Sequence, residues 1–163
     1  MTDYRRLYTI SIHHLYVSST YAGSDMATPH LMVTDLQRSV KFYQDVLDMT
    51  VAAVVSLEDQ RITDITDETA SFATLEGADG QLMLQTRESL QKTLVDIEMG
   101  PSSEFTGTLY FRGFSVDKIL SRLKPENIIK GPIQQWYGMR EVYFRDPDGY
   151  ILCAGVTEGA APA

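Results

Sequence analysis

The chain has three histidines, His13, His14 and His30, and one cysteine, Cys153. One cysteine allows neither an intrachain disulfide nor a multi-cysteine zinc site. His13 and His14 are adjacent, so on a strand they point apart and face solvent. His30 alone is a hydrogen-bonding or packing residue, or one ligand of a metal that other groups complete. Cys153 would serve as a nucleophile only beside a cation or a helix N-terminus. No base lies next to it in sequence, and a buried cysteine also packs as a small apolar residue. Tyr110, Trp136, Tyr137 and Tyr143 offer rings that hold flat organic molecules, with hydroxyls for directional contacts. Arg112 needs a partner, either Glu141 or a ligand carboxylate or phosphate. The acidic stretch from Glu58 to Glu68 lacks the glycine-centred alternation of a calcium loop and reads as a solvated loop.

Composition narrows the partners. The chain has 163 residues with 14 Lys plus Arg against 22 Asp plus Glu, a net charge of −8. That balance disfavours nucleic acid and anionic membrane surfaces, which bind clustered cations. The longest aliphatic run, Val51 to Val55, is far below the roughly 18 residues of a membrane span. No apolar core followed by a small-residue cleavage site marks a secretory leader, so a cytoplasmic location is expected. An apolar fraction of 44% fits one folded domain.

The elements follow from hydrophobic spacing. Residues 1–25 read as an N-terminal extension, either loosely docked or adding an edge strand through Tyr8, Ile10 and Ile12. Residues 26–163 form the domain. From Thr28, alternation predicts a strand, then a helix capped at Thr34 or Asp35 with Leu36, Val40, Tyr43 and Leu47 on one face. A strand at Val51–Val55 and a hairpin turning at Gly77-Ala78-Asp79-Gly80 complete a first module over about residues 28–87. A linker helix is expected over 88–97. A second module over about 105–156 repeats the order: strand from Thr108, helix capped at Ser115, then strands at Ile128–Ile129, around Gln135–Tyr137, at Arg140–Phe144 and at Tyr150–Val156. An offset of 80 takes Thr28 to Thr108, His30 to Tyr110 and Asp35 to Ser115.

Two motifs carry a family resemblance. Asp35-Leu36-Gln37-Arg38-Ser39-Val40-Lys41-Phe42-Tyr43 joins a strand to a helix, and Asp146-Pro147-Asp148-Gly149-Tyr150 forms the turn before the last strand. In this order, about 110 residues apart, they resemble those of the glyoxalase / bleomycin-resistance / extradiol-dioxygenase superfamily, also called vicinal oxygen chelate proteins. The resemblance implies an α+β fold of two tandem βαβββ modules forming a half-open cup with helices outside. Strand alternation then puts Leu31, Val33, Leu109 and Phe111 against the helices, and Thr28, His30, Met32, Thr108, Tyr110 and Arg112 on the cup face. Val142 and Phe144 face one way, Glu141, Tyr143 and Arg145 the other.

The resemblance also implies where a divalent metal would sit. Its ligand positions fall seven residues before the helix cap and four after the turn glycine, at Thr28, Thr108, Leu84 and Cys153. None is His, Asp or Glu, and a slip of one residue does not cure the deficit. The last strand is similar to that of the metal-free, drug-binding branch. The reading reached is therefore a metal-independent small-molecule binding protein without cofactor, serving in drug or toxin sequestration. The alternatives are a metal-dependent glyoxalase-like lyase, isomerase or dioxygenase with atypical ligands, and a non-catalytic interaction module. No catalytic residue is assigned. His30, Tyr110, Arg112, Trp136, Tyr143 and Cys153 are the expected ligand-binding residues, for an organic molecule with a flat part and an anionic or carbonyl group. A homodimer is expected, because the resemblance implies paired chains and open sheet edges need cover.

Overall fold

Leu31 and Val33 are buried while His30 is exposed, so the first strand, β1 (His30–Val33), packs one face and leaves the other open. The computed structural model describes residues 27–78, 80–95, 100 and 107–158. The extension 1–25, with His13 and His14, lies outside the described residues. Asp35 is extended and its carboxylate accepts from the Arg38 N–H at 3.0 Å, starting helix α1 (Leu36–Leu47). Leu36, Val40, Tyr43 and Leu47 are all buried on its inner face. Four more strands follow: β2 (Thr50–Ser56), β3 (Arg61–Ile62), β4 (Ala70–Gly77) and β5 (Gly80–Thr86). They form a sheet of order β1-β5-β4-β2-β3 in which only the β1–β5 pair is parallel.

The second module repeats this plan. It runs β6 (Thr108–Arg112), α3 (Val116–Arg122), β7 (Ile128–Gln134), β8 (Met139–Arg145) and β9 (Ile151–Thr157), with order β6-β9-β8-β7 and β6 parallel to β9. Both sheets stay open, and the architecture is the expected α+β pair of βαβββ modules. Tyr43 and Leu47 of α1, Val116 and Ile119 of α3, and Phe144 and Leu152 of the second sheet share one core. Among the described residues no helix is long and apolar enough to cross a membrane.

Local readings change in four places. The helix expected at 88–97 is α2, Arg87–Thr93. It starts earlier because the Thr86 hydroxyl accepts from the Ser89 N–H, and by Leu94 it has ended, leaving that side chain 37% exposed. Gln135–Tyr137 is not a strand. It is a turn closed by Gln135 N–H to Met139 O at 2.7 Å and Gly138 N–H to Gln135 O at 3.1 Å. Gly138 there takes a φ of 82°, which favours glycine. The strand read at Ile128–Ile129 continues to Gln134, and Arg61–Ile62 adds a short strand inside the acidic loop.

The two motifs meet in space. Asp148, whose side chain is fully buried, accepts from the Thr34 N–H at 2.8 Å, the Thr34 hydroxyl at 2.6 Å and the Ser39 hydroxyl at 2.6 Å. Asp146 accepts from the Tyr43 hydroxyl at 2.8 Å and from the backbone N–H groups of Asp148 and Tyr150 at 3.0 and 2.9 Å. The Tyr150 hydroxyl donates to Met32 O at 3.0 Å, on β1. At the far end of α1, Asp48 bridges to Lys118 and Arg122 of α3, at 2.8 and 2.9 Å.

Burial pushes the Asp146 carboxyl up to about 6, against the pull of the Tyr43 hydroxyl and of the Tyr150 and Asp148 N–H groups. A carboxyl raised on folding stabilises fully below its unfolded value of 3.8 and loses that contribution as pH climbs through about 6. Asp146→Asn keeps an oxygen for the two backbone donors and removes the charge. Urea unfolding from pH 4 to pH 7 is expected to show this variant gaining roughly 2–3 kcal/mol on the native chain as pH rises. A pH-independent difference would contradict the assignment.

Candidate functional site

The face of the second sheet turned away from α3 is built by alternation along β8. Val142 and Phe144 enter the helix-side core, which sends Glu141 and Tyr143 to the other face. Glu141 is wholly buried, and among the described residues no basic side chain pairs with it. Its carboxylate accepts four hydrogen bonds instead. Oε1 takes the Tyr110 hydroxyl at 2.7 Å and the Tyr137 hydroxyl at 2.8 Å, and Oε2 takes Gln135 Nε2 at 2.8 Å and the Tyr143 hydroxyl at 3.2 Å. Burial alone would raise this carboxyl. The four donors overcome it and hold the group below its usual value, so it is ionised at neutral pH. Burial and the bond to Glu141 in turn push the Tyr110 hydroxyl up, and burial with the Cys153 and Glu141 contacts raises Tyr143.

Register supplies the room. Glu141 lies across from Gly155, and a Cβ there would come within 2.8 Å of the Tyr110 hydroxyl and 3.0 Å of Glu141 Cγ. Cys153 pairs with both Tyr110 and Tyr143 across the sheet. Its thiol is buried, and burial with the Glu141 charge nearby raises it to about 11 against a hydrogen bond with Tyr143. It is therefore held as a thiol and not as a thiolate.

The six expected site residues separate into three sets. Tyr110, Tyr143 and Cys153 gather around Glu141. Arg112 and Trp136 attach at its margin. Arg112 does not pair with Glu141, whose acceptor sites are already filled. Its guanidinium lies 5.8 Å from the centroid of the Tyr110 ring, and the residue is exposed. Trp136 sits on the turn, 79% exposed, edge to face with Tyr137 at 5.4 Å. His30 belongs to the other sheet, packed edge to face with Phe72 at 5.7 Å. Partial desolvation of the ring lowers its pKa, although the residue is exposed overall, against the opposing pull of Gln85. Gln85 Nε2 donates to the Ser89 hydroxyl at 2.8 Å, while among the described residues its buried Oε1 has no partner of good hydrogen-bond geometry.

Gln135, Gly155 and the central place of Glu141 were not anticipated. A glycine inside the last strand was the available signal for a close approach. Gln135 gave none, because its segment read as a strand.

The metal positions implied by the resemblance also shift. Leu84 is fully buried in the helix-side core, and Met83, across from His30, takes the open face. The set is then Thr28, Met83, Thr108 and a protonated Cys153. It lacks the imidazole and carboxylate donors that hold a divalent ion, and the chain's residues do not fit that metal. Among the described residues no three His, Cys, Asp or Glu side chains come together. A separate groove of about 970 Å³ runs between α2 and the ends of β4 and β5, lined in part by Thr34, Ser71, Thr86, Arg87 and Lys92. None of the six expected residues lines it.

Two outcomes follow from this packing. Cys153 is expected to resist a disulfide reagent at pH 8 in the folded chain and to react fully in denaturant; ready labelling of folded protein would contradict its burial. Gly155→Ala is expected to cost about 1–3 kcal/mol in urea unfolding. Gly80→Ala, with nothing within 4 Å of the new Cβ, should stay within about 0.5 kcal/mol of the native chain. Equal effects would show that the close approach at Gly155 is wrong.

A family model described as Glyoxalase/Bleomycin resistance protein/Dioxygenase superfamily matches residues 13–154. No curated protein matches at a significant level. Among solved structures, the chain is similar to a protein of unknown function from Agrobacterium tumefaciens str. C58, with 24% identity, 88% of this chain and 98% of that one covered, and a TM-score of 0.62. It is also similar to a glyoxalase/bleomycin resistance protein/dioxygenase family enzyme from Burkholderia phytofirmans PsJN, with 17% identity, 82% and 99% coverage, and a TM-score of 0.59. A glyoxalase/bleomycin resistance protein/dioxygenase from Nocardioides follows, with 20% identity, 86% and 89% coverage, and a TM-score of 0.54. At these identities the likeness is one of fold.

Proposed function

This chain belongs to the glyoxalase/bleomycin resistance protein/dioxygenase superfamily, and we propose that within it the chain is a metal-independent small-molecule binding protein that sequesters a drug or toxin. One observation carries the reading. The metal positions implied by the resemblance hold no imidazole or carboxylate, and on the same face as Cys153 the second sheet carries a buried carboxylate saturated by three phenols and an amide. A carboxylate with both oxygens doubly engaged has no lone pair left for a cation. Around it Tyr110, Tyr137 and Trp136 keep 41%, 38% and 79% of their surface exposed. Exposed rings over a rigid hydrogen-bonded base suit capture of a flat organic molecule by stacking. The expected homodimer would flank this face and cover the open sheet edges.

The test uses the full chain and 2-naphthol. The single tryptophan, Trp136, gives one indole N–H signal in NMR, and 2-naphthol is expected to shift it in a saturable way, unchanged by excess EDTA. Binding that appears only after zinc, manganese or nickel is added, and that EDTA reverses, would overturn the reading.

A further inference from the structure

We infer that Glu141 is a positioning residue that sets the polarity of this site, so that its ligand must present a hydrogen-bond donor, a hydroxyl or N–H on a flat ring system, and not a carboxylate. The inference rests on the binding reading above and narrows it. A phenol has one proton and two lone pairs. Tyr110 and Tyr137 both direct that proton at Glu141 Oε1, at 2.7 and 2.8 Å. Tyr143 directs its proton at Oε2 and contacts the Cys153 thiol besides. With the protons drawn to the carboxylate, Tyr110 and Tyr137 have only oxygen lone pairs to offer, and among the described residues no donor reaches either oxygen. Both residues remain partly exposed, and the Tyr137 ring lies against that of Trp136. A ligand hydroxyl or N–H finds two acceptors there. A ligand carboxylate finds lone pairs facing it and a buried negative charge behind them. The Arg112 guanidinium lies at the Tyr110 ring and not at the hydroxyls. The anionic or carbonyl group expected from the residue types is thus replaced by a donor, because residue type alone does not say where a phenol sends its proton.

Three probes with one ring system separate the readings: 2-naphthol, 2-methoxynaphthalene and 2-naphthoate, each titrated into the full chain while the Trp136 indole signal is followed. In the native chain 2-naphthol is expected to bind about tenfold more tightly than either other probe, the value of one net hydrogen bond. Tyr137→Phe removes an exposed acceptor and should shrink that preference to about threefold or less. Glu141→Leu removes both accepting oxygens, so the Tyr110 and Tyr137 protons are no longer drawn inward and are free to turn to a ligand. The ratio of 2-naphthol to 2-naphthoate affinity should then fall by about tenfold, whereas a purely structural role would weaken all three probes together. If 2-naphthoate or 2-methoxynaphthalene matches 2-naphthol in the native chain, the donor rule is wrong while the binding surface stands. If none of the three moves the Trp136 signal, both the binding reading and this inference fail.

Discussion

The Asp146-Pro147-Asp148-Gly149 turn is seated on the first turns of α1, and the placement of the second sheet depends on that seat. Asp148 receives Thr34 and Ser39, Asp146 receives Tyr43, and Tyr150 reaches back to β1. Leaving either carboxylate buried without its donors would cost several kcal/mol. The turn therefore fixes where β8 ends and β9 begins. From there register does the rest, setting Tyr143 across from Cys153 and Glu141 across from Gly155. A slip of one residue would send Glu141 into the helix-side core and Val142 outward.

The second sheet solves the problem of a buried carboxylate without a cation. A lone guanidinium partner would satisfy the charge but fill the space in front of it. Three phenols and an amide satisfy all four lone-pair sites from the sides, and each phenol also presents a ring. The cluster thus has a rigid charged base and an aromatic surface. Gly155 makes it possible, because any side chain there would displace Tyr110.

Much of the fold was legible because its signals are local. The Asp35 and Ser115 caps, the Gly77–Gly80 hairpin and the one-sided burial of Leu36, Val40, Tyr43 and Leu47 follow from spacing alone. The site was legible by face and not by partner. Alternation put Tyr110, Tyr143 and Glu141 on one face, but assigning Glu141 to Arg112 required knowing which donors reach it. Tyr137 and Gln135 come from a turn whose aromatic residues resemble a strand. The one-residue error at Leu84 has the same origin, since counting from a turn glycine does not fix which face a hairpin strand presents. The His30 sheet and the Glu141 sheet look equivalent under the offset of 80, yet Phe72 stands across from Gln85 where Glu141 stands across from Gly155.

The central claim is that Glu141 is a permanently charged hub that orders the phenols around it. Its protonation is observable directly, by carbon NMR of side-chain carboxyls in protein labelled at glutamate, with the Glu141 signal identified by its loss in Glu141→Gln. The account predicts an ionised carboxylate throughout the neutral range and a titration midpoint below the ordinary glutamate value of 4.5. A midpoint above that value would mean that burial outweighs the four donors, that the phenol protons are free to turn outward, and that the site is not organised as described.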